Sequence, residues 1–235
     1  MDAYEKKYPT LAKMLHVYLN FTKLRFDQYK RGEREPEVKN RFNYTDYIRM
    51  NHFDAENGMA LFNDFPYFSE LPESDKSTLF KRFRDPFLLL ERMYDTLNTV
   101  GTKLDDRFVM LQNGECYSFA TLNYSLMPAN MSNVFKIVFL SWETLLPVLR
   151  KINPGIIEAV YIFCCILWNT SYLDSPISKD GEEVIRRGRL IIHKEMREFY
   201  DYDEIQWERI YALRHVLIQT EKCVEELKRR VGDQM

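Results

Sequence analysis

The stretch from Leu61 to Thr96 decides the fold of this chain, and it reads LFNDFPYFSELPESDKSTLFKRFRDPFLLLERMYDT. It begins with the apolar end of a helix, which Pro66 terminates because proline lacks a backbone N–H. Pro72 and a charged turn follow, and Ser74 is placed to cap a second helix. Apolar residues then recur at helical spacing through Pro86 to the end of the stretch. This pattern predicts two helices that meet at a bend.

The same stretch resembles the signature of nuclear hormone receptor ligand-binding domains, F-x-x-L-x-x-x-D-[QK]-x-x-L-[LF]-K. The matching residues are, in order, Phe68, Leu71, Asp75, Lys76, Leu79, Phe80 and Lys81. The continuation Leu90–Thr96 resembles the large nematode-type branch of that family. The resemblance extends over about residues 1 to 231. It implies an all-α, three-layer antiparallel helical sandwich with one small β-hairpin, which acts in transcription regulation in the nucleus.

Bulk composition agrees with a single helical domain over residues 1–235. Hydrophobic residues make up 46% of the chain, which is enough for a sizeable core, and only eight glycines occur. A net charge of −2 gives no basic field for nucleic-acid phosphates. The longest apolar stretch, Ile156–Trp168, contains Glu158 and is shorter than the roughly 20 residues of a membrane span. We therefore expect neither direct nucleic-acid binding nor membrane insertion.

Two further predicted helices indicate a layered helical fold. One follows Ser132, and its apolar residues cover most of its circumference. The other opens at Pro154 and is apolar nearly all round as far as Trp168. A helix without a polar face has to be covered on several sides. The pair therefore predicts helical layers above and below it.

Shorter signals place the remaining elements. Asn113-Gly114 between Phe108 and Tyr117 predicts a β-hairpin turn. The run KRGEREPEVKN at 30–40 predicts a surface connection. Ser178, with acidic residues directly after it, predicts the start of another helix.

The final helix, from about Ile205 to Val231, has an unbroken heptad seam. One interpretation is that the seam packs on the domain's own core. The other is that its outer part meets a second receptor subunit, since the family dimerises through the equivalent helix. On that interpretation the dimer contacts are Leu213, Leu217, Thr220 and Val224.

The resemblance also implies a coregulator groove, for which Asn63, Lys76 and Lys81 are the candidates. In the family a short activation helix supplies the acidic end of this groove. Only Gly232 to Met235 follow Val231, so we expect no activation helix in this sequence. The zinc-finger DNA-binding module is also not expected, because four cysteines without a C-x-x-C pair cannot build it.

A pocket for a lipophilic ligand is implied between the inner helices and the hairpin. By helical facing, its candidates are Met50, Phe53, Asn57, Met93, Thr96, Val109, Phe135, Phe139 and His215. Large side chains there could instead fill the core, and the chain would then be a helical interaction and dimerisation module without a ligand. Glu158 in its apolar helix should either have a partner or lie on a solvent-facing edge, and the resemblance implies an ion pair with Arg209.

Enzymatic chemistry has little support. No nucleophile elbow, P-loop, HExxH or dinucleotide motif occurs, and the four histidines are far apart. Asp105-Asp106 lacks the further carboxylates of a diphosphate-binding magnesium site. We therefore expect no catalytic residue, no metal and no cofactor. The partners to expect are a lipophilic molecule, a homo- or heterodimer partner and transcriptional coregulators.

Overall fold

Helices and one small sheet make up the described part of the chain. The computed structural model describes residues 2–31, 37–39, 41–100, 108–118, 121, 129–171, 173, 175–201 and 204–232. Within them the helices are α1 (Asp2–Lys7), α2 (Pro9–Tyr29), α3 (Tyr44–Phe62), α4 (Glu73–Val100), α5 (Ala129–Ile152), α6 (Ile156–Leu167), α7 (Lys179–Phe199) and α8 (Glu204–Gly232). A 3-10 turn, Phe68–Glu70, lies between α3 and α4. The prediction of an all-α fold with a small hairpin is confirmed.

The sheet has three short strands, β1 (Glu37–Lys39), β2 (Phe108–Met110) and β3 (Glu115–Ser118), in the order β1-β3-β2. Strands β2 and β3 form the predicted antiparallel hairpin. Gly114 has φ +87° in its turn, a conformation that favours glycine. Strand β1 pairs in parallel with β3, so three residues of the predicted surface connection at 30–40 form a strand, which was not predicted. Residues 32–36 and 40 lie outside the described residues.

Chain contacts divide the protein into two compact units. The first unit comprises Met1–Thr22, Ala55–Phe87 and Pro154–Leu217. The second unit comprises Lys23–Asp54, Leu88–Asn153 and Ile218–Met235. Helices α2, α3, α4 and α8 contribute residues to both.

Two of the predicted helix starts need correction. Helix α4 begins at Glu73, and the carbonyl of Pro72 accepts hydrogen bonds from the N–H groups of Asp75 and Lys76. Ser74 therefore lies inside the first turn, because a residue before it already supplies the capping carbonyl. Helix α5 begins at Ala129, three residues before Ser132. The start at Ser178 is confirmed, since its Oγ accepts a hydrogen bond from the Gly181 N–H at 3.1 Å.

The two apolar helices differ in burial. Every residue of α6 from Glu158 to Cys164 is buried, as the sequence predicts for a helix without a polar face. Helix α5 instead has an exposed stripe that includes Lys136, Leu140, Glu143 and Thr144. These residues recur every three or four positions, so a single side of α5 faces solvent. The rest of its described circumference is largely buried, as expected for a helix whose apolar residues cover most of its circumference.

Helix α2 is held at its first turn by a buried carboxylate in the first unit. Glu195 of α7 accepts hydrogen bonds from the N–H groups of Thr10 (3.0 Å) and Leu11 (2.8 Å). These two N–H groups have no partner within their own helix, and the positive end of the helix dipole favours an anion there. Glu195 thus fixes where α2 packs on α7.

Candidate functional site

The signature aspartate joins the starts of two helices in the first unit. The Asp75 carboxylate is buried and accepts hydrogen bonds from the Ser178 hydroxyl at 2.5 Å and the Ser178 N–H at 3.3 Å. A Cβ atom at Gly181 would lie 2.1 Å from Asp75 Oδ2, so this carboxylate would have to move to accept any other residue there. The signature position therefore has a structural role: it locks α4 to the start of α7.

The other signature side chains pack around the same corner. Phe68, Leu71 and Leu79 are buried, and the Phe68 ring lies 6.5 Å from that of Trp168. Trp168 in turn packs closely on Gly188, where a Cβ would lie 3.0 Å from the indole. These contacts fix the bend between α3 and α4.

The three coregulator-groove candidates all lie in the first unit. Asn63 and Lys81 are exposed. Lys76 is half-buried, and its Nζ lies 2.6 Å from Glu73 Oε1. Of the two lysines among these candidates, Lys81 is therefore the more exposed.

The structure brings Glu158 and Arg209 together in the first unit. Arg209 donates from Nε to Glu158 Oε1 at 2.6 Å and from Nη2 to Oε2 at 2.7 Å. The Gly155 N–H donates at 2.7 Å and the Tyr200 hydroxyl donates as well. Burial raises the pKa of Glu158, but these donors outweigh it, so that pKa lies below its ordinary value. Glu158 is therefore held as a carboxylate.

Several of the ligand-pocket candidates are buried in the second unit. They are Met50, Met93, Thr96, Val109, Phe135 and Phe139. Phe42 packs on both phenylalanines, with ring centroids 5.2 Å from Phe135 and 5.5 Å from Phe139. The Thr96 Oγ accepts a hydrogen bond from the Met110 N–H of the hairpin at 3.1 Å. Phe135 and Phe139 therefore belong to a packed aromatic region with Phe42, and Thr96 is bonded to the hairpin.

The remaining three candidates are less enclosed. Phe53, in the second unit, is half-buried and meets the Tyr29 ring edge-on at 5.7 Å. Asn57, in the first unit, is half-buried. His215, also in the first unit, is exposed. An exposed imidazole cannot line an enclosed pocket, so His215 is left out of the proposed pocket below.

A cluster of buried charges in the second unit was not predicted. Arg25 is bound by Asp54 through Nε (2.7 Å) and Nη2 (2.6 Å), and its Nη1 lies 2.5 Å from Glu91 Oε1. The three side chains are at most 2% exposed. Gln112 links the hairpin to the cluster, because its amide nitrogen donates to Asp54 at 2.9 Å.

The cluster continues to Asp95. Its carboxylate accepts hydrogen bonds from Arg31 at 2.7 and 3.1 Å and from Arg92 Nη2. Burial raises the pKa of Asp95, but Arg92 and Arg31 outweigh it and hold that pKa at about 2. The sequence signal for this cluster was Arg25 itself, which continues the apolar helical spacing of Met14, Tyr18 and Phe21.

A small apolar cavity lies in the first unit, and none of the predicted pocket residues lines it. It is lined by Met14, Val17, Tyr18, Phe21, Phe62, Phe65, Phe87, Val160 and Phe163. Its volume, about 10 Å³, is roughly that needed for one water molecule. Binding sites for drug-sized ligands have volumes of about 300–1,000 Å³. This cavity is therefore a packing defect and not a hormone pocket.

The heptad seam of α8 faces the chain's own interior. Leu213 and Thr220 are 0% exposed, Val224 is 2% exposed, and Leu217 is half-buried. Side chains without exposed surface cannot reach a second subunit, so the dimer assignment was wrong for Leu213, Thr220 and Val224. The core interpretation of the seam fits the structure.

The described residues add no new candidate for a catalytic or metal site. Among the described residues, no group of three or more His, Cys, Asp or Glu side chains could hold a metal ion. The half-buried His193 accepts or donates one hydrogen bond with the Tyr161 hydroxyl at 2.9 Å. Asp105-Asp106 lies outside the described residues. None of the helices in the described part of the chain is long and apolar enough to cross a bilayer.

Comparison with known proteins identifies the family. A family model, the ligand-binding domain of nuclear hormone receptor, matches residues 33–231. A search of curated proteins finds no match. The match includes the complete signature from Phe68 to Lys81 and both residues of the Glu158–Arg209 pair. Domains of this family are generally regulators and not enzymes, and they typically bind lipophilic ligands and dimer partners in the nucleus. This chain belongs to the family of nuclear hormone receptor ligand-binding domains.

Proposed function

We propose that residues 1–235 form one ligand-binding domain of the nematode-type branch, which regulates transcription in the nucleus by binding a lipophilic small molecule. The observation that best supports this proposal is the family match over residues 33–231. The branch rests on the resemblance of Leu90–Thr96. Catalysis, direct nucleic-acid binding and membrane insertion form no part of the proposal.

The ligand would bind in the second unit, beside the hairpin. The buried candidates Met50, Met93, Val109, Phe135 and Phe139 supply the apolar surface that such a molecule needs. Thr96 supplies a hydroxyl next to the hairpin. Phe53 would lie at the edge of this site, and Asn57 belongs to the proposal on the resemblance alone.

Protein partners form the second part of the proposal. A coregulator helix would dock near Asn63, Lys76 and Lys81, where lysine side chains can bind the negative C-terminal end of a helix dipole. A receptor partner, either a second copy or another receptor, would have to use surface other than the buried seam of α8.

A helical interaction module with a filled pocket is the competing function. The aromatic packing in the second unit favours it. Phe42, Tyr47, Phe135, Phe139 and Trp142 contact each other with ring centroids 4.8–6.3 Å apart. If these side chains keep this packing in solution, they fill the space that a ligand would take.

Native mass spectrometry of the purified protein distinguishes the two functions. A ligand-binding domain should carry a co-purified lipid, visible as an added mass that disappears when the protein is denatured. Phe139→Trp, which adds volume to the proposed pocket, should lower the lipid-bound fraction, whereas Phe163→Trp in the first unit should not. Protein or dimer mass alone, after expression in cells supplied with mixed lipids, would favour the filled module.

A further inference from the structure

Tyr161 and His193 form a hydrogen-bonded pair in the first unit that the proposed function does not use. The Tyr161 hydroxyl of α6 lies 2.9 Å from His193 Nδ1 of α7, and the two rings meet edge-on with centroids 5.7 Å apart. Tyr161 is buried, whereas His193 is half-buried and partly in contact with solvent. The pair thus places a titratable ring at the surface of the first unit.

Three arginines act on this imidazole. Arg189 and Arg197 lie four residues before and after His193 on α7, so the three side chains share one face of the helix. Arg214 belongs to α8, and its charge acts on both His193 and Tyr161. All three arginines are exposed. With His193 they therefore form a cationic surface that an ion in solution can reach.

No described carboxylate offsets the effect of these arginines on the imidazole. Arg189 donates from Nη2 to the main-chain carbonyl of Trp168, which is neutral. Among the described residues, Arg214 takes part in no ion pair. Burial and the charges of Arg214, Arg197 and Arg189 lower the pKa of His193 to about 4, and no carboxylate of the described chain counteracts them. The imidazole is therefore neutral at neutral pH and lies in a region of positive potential.

Three other basic residues of α7 differ in having carboxylate partners. These ion pairs are Arg186–Glu183, Arg187–Glu70 and Lys194–Glu198. Since Arg189 donates to a neutral carbonyl instead, its charge is available to an anion from solution.

An oxyanion is the ligand that fits such a surface. Guanidinium groups present forked donors that match the oxygens of phosphate and sulfate, and clusters of arginines bind doubly charged groups. The three arginines are exposed, so binding an anion there does not require the burial of a charge deep in the protein. A bound dianion would also offset the positive charge at His193 and let the imidazole take up a proton, which adds a donor. The ligand class is therefore a small phosphate or sulfate oxyanion.

We propose that Arg189, His193, Arg197 and Arg214 form a binding site for a phosphate or sulfate oxyanion, either free or as the phosphate group of a small metabolite. The site shares no residue with the proposed lipophilic-ligand site or with the coregulator candidates. It is a further binding function and does not depend on the proposed one.

NMR of protein labelled with ¹³C in its histidine rings tests the site directly. At about pH 5.5 and constant ionic strength, replacing chloride by sulfate should shift the His193 ring resonances towards their protonated positions. A bound dianion favours the imidazolium, so the pKa of His193 should rise from about 4 to above about 5. His193→Gln assigns these resonances. Those of His16, an exposed residue of α2, should not respond to sulfate.

Calorimetric titration with sulfate compares matched variants. Arg214→Gln should bind sulfate about tenfold more weakly than wild type, as expected for loss of one charge-assisted hydrogen bond. Arg84→Gln removes the same charge from an exposed position on α4 and should bind like wild type. Both changes are at exposed positions, so melting temperatures without sulfate should stay close to that of wild type and show that the variants fold.

Two phosphate probes distinguish the sources of the oxyanion. A site for the free ion should bind inorganic phosphate more tightly than glycerol 3-phosphate, because the ester has one free oxygen fewer. A site for a phosphorylated metabolite should bind the ester at least as tightly. Either result supports the oxyanion site and identifies its source.

Three outcomes would overturn the oxyanion site. They are His193 resonances that do not respond to sulfate, equal sulfate affinity of Arg214→Gln and wild type, and equal weakening by Arg214→Gln and Arg84→Gln. The last would indicate general charge attraction and an adventitious ion only. The lipid-binding function is judged separately by the native mass measurement, so failure of one proposal leaves the other standing.

Discussion

Arg25 shows how a single residue can organise the interior of the second unit. It stands where the helical spacing of α2 calls for an apolar side chain, yet both carboxylates that bind it are as buried as it is. The Coulomb attraction in such a group roughly offsets the cost of removing the charges from water. Removing one member leaves the others uncompensated, which is far more unfavourable. The cluster therefore contributes to a unique packing more than to net stability.

Glu158 and Arg209 offer the clearest test at the residue scale. Glu158→Leu and Arg209→Leu should each lower the free energy of unfolding, because each leaves a partly buried charge without its partner. The double variant should lose less than the sum, with a coupling energy of about 1–3 kcal/mol. Urea unfolding of the four proteins measures it.

A surface pair provides the control for that cycle. Glu183 and Arg186 make a similar two-point contact at 2.9 and 2.6 Å, but both are exposed on α7. Leucine substitutions there should be nearly additive, since solvent screens the pair. Additive effects at Glu158 and Arg209 would remove the structural ion pair.

The lowered pKa of Asp95 predicts how the stability of the protein depends on pH in acid. Its pKa of about 2 in the folded protein lies below its ordinary value of 3.8. The ionised carboxylate therefore stabilises the fold above about pH 4, and this contribution is lost as the pH falls towards 2. Asp95→Asn should be destabilised by on the order of 3 kcal/mol at neutral pH, because Arg31 and Arg92 lose their shared anion.

The pH profile separates that effect from a general loss of stability. Between pH 4 and pH 2, unfolding free energies should fall less steeply for Asp95→Asn than for wild type. Asp85→Asn, which alters a carboxylate paired with Arg84 near the surface, should keep the wild-type slope. An unchanged slope in Asp95→Asn would contradict the assigned role.

At the scale of elements, several confirmed predictions rested on local signals, although the local cap signals at Ser74 and Ser132 did not mark the helix starts. The buried helix α6, the hairpin at Gly114 and the cap at Ser178 rest on neighbouring residues, and all three are present. The pairing of β1 with β3 joins segments more than seventy residues apart, and no local pattern encodes it.

The predictions for the candidate site also differ between residues marked by local spacing and contacts made by distant segments. The spacing of apolar residues located the buried pocket candidates, and the resemblance supplied the pairing of Glu158 with Arg209. The partners of Arg25 could not be predicted, because α3 and α4 supply them and their faces meet only in the folded chain. The α8 seam was correctly seen as apolar. Periodicity alone cannot say whether such a seam meets its own core or a partner.

The junction between α4 and α7 predicts the effect of a small substitution. Gly181→Ala should be destabilising by about 1–3 kcal/mol, because the new methyl group needs the space of the Asp75 carboxylate. Gly155→Ala is the matched control at the start of another helix, where the nearest atom to a Cβ is 3.8 Å away. Thermal unfolding of both variants gives the comparison. Equal melting temperatures would mean that Asp75 moves aside without cost.

At the scale of the whole molecule, the features described above are divided between the two units. The first unit contains the signature corner, the Glu158–Arg209 pair and the coregulator candidates. The second unit contains the hairpin, the charge cluster and the proposed ligand site. Since α2, α3, α4 and α8 supply residues to both, a break in any of these helices removes structure from each unit. We therefore predict that the two units unfold together, as one domain does.

Two tryptophans allow this prediction to be tested unit by unit. Trp142 belongs to the second unit and Trp168 to the first, and both are buried. Replacing Trp207 and one of these two by phenylalanine leaves a single reporter in each variant. Urea midpoints from tryptophan fluorescence should equal the midpoint from far-ultraviolet circular dichroism of the same variant, because loss of either unit destroys shared helices. A fluorescence midpoint that differs from the dichroism midpoint in either variant would show independent unfolding. Residues 1–235 would then be two folding units and not the single domain proposed.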